Sequence, residues 1–225
     1  MLSATFDLSL AALNRDGGAT GPAWEQGLLA LGWAAAAGVG ESLGAAIAGL
    51  DEDGFADMAS AAVRLSLLER LARSDGPTFR LHPLLSELGR SRADGTAAIA
   101  RMSEWFCARL PKPGEGEPWR WSEVHAEAPA LLDWLSQVPA AERVRVVRTG
   151  SWFAISTGPF HAWLRFCETA LAGDLGDAER SNVLWTLGQV ALSAGLPDRA
   201  LAAAEQKQSL DRRRGEERGR HWPLA

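Results

Sequence analysis

Residues 63–85 read VRLSLLERLARSDGPTFRLHPLL, and this stretch decides the fold. Leu65 to Leu71 and Thr78-Phe79-Arg80-Leu81-His82 are short runs with partial polar alternation, and Ser74-Asp75-Gly76-Pro77 between them consists of turn formers. The three pieces predict a small β-hairpin. Pro83 suits the first turn of a following helix, which carries Leu84, Leu85 and Leu88 and stops near Gly89 to Ser91.

Upstream, Trp24, Leu28, Leu31 and Ala35 recur at i, i+4, i+7 and i+11 and predict a helix over 23–35. A second apolar helix, Ser42 to Leu50, follows the Gly38-Val39-Gly40 break. Asp51-Glu52-Asp53 places acids at a helix N-terminus, and Phe55, Met58 and Ala62 form the buried stripe of that third helix, which ends near Arg64. Three helices, a hairpin and a helix are the order of a winged helix, so residues 1–93 are expected to form one.

Downstream, Ala97 to Leu110 is amphipathic, with Ile99, Met102, Trp105 and Phe106 on one side, and Pro111-Lys112-Pro113-Gly114-Glu115-Gly116 is the clearest linker. Helices are expected near 122–137, 140–155, 159–172, 178–194 and 197–210. Leu187-Gly188, Gly195 and Ala200 fit the tetratricopeptide pattern in register, and stepping back 37 residues puts Gly158 under Gly195, Trp163 under Ala200 and Ala170 under Lys207. Gly195 and Ala200 read as positions of close packing at a turn and between paired helices. The expected fold is mainly α: a winged-helix domain with a β-hairpin (1–93), a helical connector or arm (94–138) and a tetratricopeptide-like α-solenoid (139–225).

Across the 225 residues, 47% are hydrophobic and 23% charged, which excludes wholesale disorder. The net charge of −5 gives no global attraction to polyanions. Cys107 and Cys167 show no metal-ligand spacing with each other or with His125, His161 and His221, and they fit a reducing compartment as buried hydrophobes. The stretch MLSATFDLSLAALNRD does not read as a secretory signal, and Gly27 to Gly40 is shorter than the roughly 20 apolar residues of a membrane span. A cytoplasmic location without membrane contact is expected.

These motifs together resemble the part of a STAND-type (NB-ARC-like) signalling ATPase that follows its nucleotide-binding domain. The resemblance runs in order through Ala4-Thr5-Phe6-Asp7-Leu8-Ser9-Leu10, the helix Leu28 to Ala35, Val63 to Arg70, Phe79 to Leu85, the phrase Glu127-Ala128-Pro129-Ala130-Leu131-Leu132 and the repeats from about residue 140. It implies a non-catalytic segment of a signal-transduction protein, whose winged helix packs on a nucleotide-binding domain and whose repeats bind a protein partner or ligand. It also gives His82, within Leu81-His82-Pro83, the place of a nucleotide-sensing histidine, with Pro83 standing where the family has an acid.

The chain has no GxxxxGK[ST] phosphate loop, and its only lysines are Lys112 and Lys207. No cofactor is therefore expected in this chain, and ADP or ATP only if a separate nucleotide-binding domain is present. Neither a GxSxG elbow, an HExxH helix nor a carboxylate pair can be assembled from the spacing, so no enzyme is expected. Trp119 and Trp121, followed by Trp134, read either as an aromatic surface for a partner or as core packing. Arg212, Arg213 and Arg214 read either as an anionic-partner contact or as a solvated helix end.

The alternative function is a transcription regulator whose winged helix binds DNA and whose repeats receive a signal. Against it, the third helix carries Asp51, Glu52, Asp53 and Asp57 beside Arg64 as its one base, and residues 1–93 hold 11 acidic and seven basic side chains, a balance that repels phosphate. Nucleic acid is not an expected partner.

Overall fold

The structure is a computed structural model and describes residues 2–34, 36–73, 76–111 and 120–213. Among these the chain forms twelve α-helices and one three-stranded antiparallel sheet. Two compact units divide it: Met1–Arg109 with Ser122–Gln137, and Leu110–Trp121 with Val138–Ala225.

The first unit opens with α1 (Leu2–Asp16), a helix the sequence reading did not assign, which buries Phe6, Leu10 and Leu13 at i, i+4 and i+7. Next, α2 (Gly21–Ala30) carries Pro22 in its first turn. The helix expected over 23–35 ends early: Leu31–Trp33 tighten into a 3-10 turn, and Ala34 is extended. The tightening lets Gly32 approach the following helix layer, where an added Cβ would lie 2.8 Å from the Ser86 carbonyl oxygen. Ala35 lies outside the described residues.

The expected Gly38-Val39-Gly40 break contains a two-residue strand, β1 (Val39–Gly40), too short to show alternation. It leads into α3 (Glu41–Ala48), which closes on Gly49 at φ +73°, with Leu50 N–H donating to the Ala45 carbonyl and Gly49 N–H to that of Ala46. Asp51 caps α4 (Glu52–Arg64), its Oδ1 accepting the Gly54 N–H at 2.7 Å. Phe55, Met58 and Ala62 are fully buried, as their spacing requires.

The hairpin forms, but its first strand starts later than Leu65. Leu65 to Leu67 terminate α4: Ser66 takes φ +58°, its N–H donates to the Val63 carbonyl, and Leu67 N–H donates to that of Ala62. Only then do β2 (Leu68–Arg73) and β3 (Gly76–Leu81) pair, in the register Leu68 to Leu81 and Arg70 to Phe79; Ser74 and Asp75 lie outside the described residues. β1 joins the other edge of β3, with Gly40 opposite Thr78, giving the sheet order β1-β3-β2. Phe79 meets Phe55 edge to face at 5.4 Å, which fixes the sheet to α4.

Four helices follow this nucleus in the chain. In α5 (Pro83–Arg92), Gly89 lies where a Cβ would come within 2.6 Å of the Leu29 carbonyl oxygen, so glycine permits the close crossing with α2. In α6 (Gly95–Arg109), Arg101 donates to the Ile47 carbonyl and ties the helix to the end of α3. The helix expected over 122–137 is two, α7 (Trp121–Ala126) and α8 (Ala128–Gln137). Pro129 has no N–H to continue the α7 ladder and suits the opening turn of α8, so the chain breaks at Glu127. Trp134 on α8 is fully buried, stacks on Phe106 at 4.8 Å and donates its indole N–H to Ser103 Oγ at 3.0 Å.

The second unit is helical throughout its described length: after a 3-10 turn at Ala140–Glu142 come α9 (Arg143–Ser156), α10 (Phe160–Leu171), α11 (Asp177–Ser193) and α12 (Pro197–Arg213). Each packs on its neighbour in sequence, and α11 also on α9. Gly158 and Gly195, 37 residues apart, both take left-handed conformations, at φ +66° and +72°, between α9 and α10 and between α11 and α12. Trp163 on α10 and Ala200 on α12 are both buried. The reason read for Gly195 is corrected, because no atom lies within 4 Å of where its Cβ would be; the residue serves the positive φ that ends α11. Leu184, Ala203 and Leu210, with Leu171 and Leu187 against them, form the core of this end.

Candidate functional site

His82 follows β3 directly and caps α5. Its Nδ1 accepts the Leu84 N–H at 3.3 Å, its carbonyl accepts those of Leu85 and Ser86, and the ring is exposed. With Nδ1 as acceptor, the neutral ring carries its proton on Nε2.

Trp121 is half-buried in the second unit, donates its indole N–H to the Leu110 carbonyl at 3.0 Å and meets Phe153 edge to face at 5.6 Å. Trp119 lies outside the described residues, and Trp134 is core. Among the described residues the exposed tryptophan is Trp152, 48% accessible and set edge to face with Trp185 at 6.5 Å, which its apolar context in the sequence did not reveal. Arg212 and Arg213 are exposed in the last turn of α12, where cations suit the helix C-terminus; Arg214 and the rest of the basic tail lie outside the described residues. On α4, Glu52, Asp53 and Asp57 are exposed, and Arg64 pairs with Asp16 at 3.5 Å.

The first unit also holds a cleft of about 400 Å³ that no sequence motif announced. Gly40, Glu41 and Ser42 enter it from the start of α3, Thr78 from β3, Trp105 from α6 and Glu127 from the α7–α8 break. Glu127 is 7% exposed, and its Oε1 accepts the Gly40 N–H at 2.7 Å. A Cβ at position 40 would meet that carboxylate, so a side chain there would make the Glu127 carboxylate shift. Ser42 Oγ accepts from the Trp105 indole at 3.2 Å and from Arg109 at 3.4 Å. Arg109 stacks over Trp105, 4.0 Å from the ring centroid, and pairs with Glu123 at 2.6 Å. The Glu127 to Leu132 phrase thus pins α8 to the sheet, a role that its residue types alone did not show.

The chain matches no family model, no curated protein and no solved structure. Among the described residues, no three His, Cys, Asp or Glu side chains are grouped to hold a metal ion, and no helix is long and apolar enough to cross a membrane.

Cys167 is fully buried on α10, and burial pushes its thiol up to about 12, with Glu168 adding to the shift. Because the thiolate is the reactive form, a disulfide reagent applied to the native protein is expected to modify half-buried Cys107 first and Cys167 only as the second unit opens. Mass spectrometry of timed labelling checks this, and equal rates at the two sites would refute it.

Proposed function

We propose that the chain is a non-catalytic regulatory and interaction segment of a STAND-like signalling protein, in which a winged helix controls a nucleotide switch and tetratricopeptide-like helix pairs bind a partner or ligand. The observation that carries this reading is the course of residues 21–83. A helix, a short edge strand, two helices and a hairpin run in order, the sheet is ordered β1-β3-β2, and His82 follows β3. This order supports the winged-helix reading, in which His82 would take the part of the resembled family's nucleotide-sensing histidine. The helix pairs α9–α10 and α11–α12, with left-handed glycines at equivalent turns, support the repeat reading.

In this reading the Nε2–H of His82, facing solvent at the head of α5, donates to a phosphate held by a neighbouring nucleotide-binding domain. The domain supplies the nucleotide's cradle, because this chain offers no phosphate loop. A ligand on the repeats shifts the docking equilibrium only by its different affinity for the docked and undocked states.

Calorimetric titration of ADP and ATP tests the proposal, with the chain alone and with a separately encoded nucleotide-binding domain, and with His82→Ala as control. No heat from the chain alone, and His82-dependent tightening in the mixture, are expected. Nucleotide binding by the isolated chain, or indifference to His82→Ala in the mixture, would count against it.

The DNA-binding alternative draws no support from α4, whose exposed acids would face the phosphate backbone. A steep fall of DNA affinity with salt would revive it.

A further inference from the structure

The outer edge of β2 carries an inference that does not depend on the family resemblance. In the order β1-β3-β2 this strand has a strand neighbour on one side only, and it packs on β3 and α4. Pro77 decides which of its main-chain groups are used inside the hairpin. Having no N–H to give, Pro77 makes a non-hydrogen-bonded pair with Ala72, so the ladder bonds fall on the alternate pairs, Glu69 with Arg80, Leu71 with Thr78 and Arg73 with Gly76. The N–H and C=O groups of Arg70 and Ala72 therefore point away from β3, and none of them is bonded to another described residue. Arg70 and Ala72 are also exposed, which makes this edge a template for a further strand.

The charges along β2 fit a copy of itself. When two identical strands pair antiparallel, the residue on the two-fold axis names the register. An axis at Arg70 or at Glu69 sets that charge directly opposite its own copy, which is destabilising. Axes at Leu68 or Ala72 leave fewer residues paired. With Leu71 on the axis, the half-buried Leu71 meets its own copy, Arg70 and Ala72 exchange main-chain hydrogen bonds in both directions, and Glu69 of each copy faces Arg73 of the other. Glu69 and Arg73 then form non-hydrogen-bonded pairs, in which side chains stand closest. Both keep capacity for this contact. Arg80 gives its Nε and one terminal nitrogen to Glu69 Oε2, so Oε1 is open, and Arg73 gives one terminal nitrogen to the Ala37 carbonyl at 3.3 Å.

We propose that β2 pairs edge to edge with β2 of a second copy of the chain, antiparallel and centred on Leu71, which joins the two three-stranded sheets into one. Main-chain hydrogen bonds supply the affinity, and the reciprocal Glu69 and Arg73 pairs select the register over those that oppose like charges. One short strand buries less surface than the roughly 1,200 Å² of a stable complex, so the dimer is weak and forms only at high concentration. Its ion pairs are exposed, and added salt loosens it.

Sedimentation equilibrium of the whole chain from micromolar to millimolar concentration tests this, with hydrogen exchange at the hairpin amides showing that each variant is folded. A monomer–dimer equilibrium is expected. Ala72→Pro removes one outward N–H, spares the bonds inside the hairpin and keeps every charge, so it should abolish the dimer and leave the monomer folded. Arg73→Glu places a like charge opposite Glu69 twice in each dimer and should weaken association about tenfold, whereas Arg73→Lys retains most of it. Arg70→Ala should leave association unchanged, while a register centred on Arg70 would be tightened by it. A chain that stays monomeric would overturn the proposal and leave the edge to a strand of another protein. A dimer that survives Ala72→Pro would lie elsewhere on the molecule, and one indifferent to Arg73→Glu would refute the register. Should Ala72→Pro fail to fold, the contrast between Arg73→Glu and Arg73→Lys decides alone.

Discussion

Trp134→Ala is expected to destabilise the first unit by about 3–5 kcal/mol, the range for removing a fully buried large aromatic. Trp134 has no exposed surface, lies nearly parallel to Phe106 at an interplanar angle of 23°, and is the partner of Ser103, itself 1% exposed. Truncation therefore opens a cavity between α6 and α8 and strands a buried hydroxyl. Trp134→Phe separates the two effects: stacking survives, Ser103 loses its donor, and the expected loss falls to roughly 1–3 kcal/mol. Urea unfolding, with hydrogen exchange at the α6 amides as the local reading, measures both. A loss below about 1 kcal/mol for Trp134→Ala would mean that α8 does not anchor this core.

The same residues show what the sequence made legible. Phe55, Met58 and Ala62 revealed α4 because one face of that helix is strictly apolar, and Asp51 revealed its start because caps obey a local rule. The hairpin was visible for similar reasons. Its first strand was placed three residues early because Leu65 and Leu67 look like strand residues, whereas the chain uses them to close α4 around a left-handed Ser66. A serine in that conformation has no sequence signal, unlike Gly49 and Gly195, which occupy the same place at the ends of α3 and α11. β1 was hidden because two residues carry no period, and α1 because its apolar stripe was read only as the lack of a signal peptide.

The candidate sites divide along the same line. His82 could be singled out as a candidate because its setting, a strand running into proline and a helix, is contiguous in sequence. The cleft was not, since Glu41, Thr78, Trp105 and Glu127 come from four separate elements and meet only when β1 pairs with β3. The phrase around Glu127 was noticed, yet its carboxylate reaches back 87 residues to the Gly40 amide, a distance no local pattern encodes.

In the second unit the largest expected effect is Trp163→Ala, about 3–5 kcal/mol, because this fully buried ring on α10 fills the space that Gly150 leaves on α9. A Cβ at residue 150 would lie 2.5 Å from the far carbon of the Trp163 six-membered ring, 3.1 Å from the next, and 3.3 Å from Leu110 Cδ1. Gly150→Ala gains up to about 1 kcal/mol of helix propensity. Overpacking of roughly 1–3 kcal/mol opposes that gain and should win, because the ring is held on every side. The Trp163 indole N–H is shut from solvent and has no hydrogen-bond partner among the described residues, which leaves an unsatisfied donor at this position. Trp163→Phe removes both the colliding ring edge and that donor. In the Gly150→Ala background it should therefore restore stability, whereas in the native background its lost ring area dominates. The double-mutant cycle is expected to show a favourable coupling above about 1 kcal/mol. Additive effects would show instead that glycine at position 150 is not what lets the tryptophan close this helix pair.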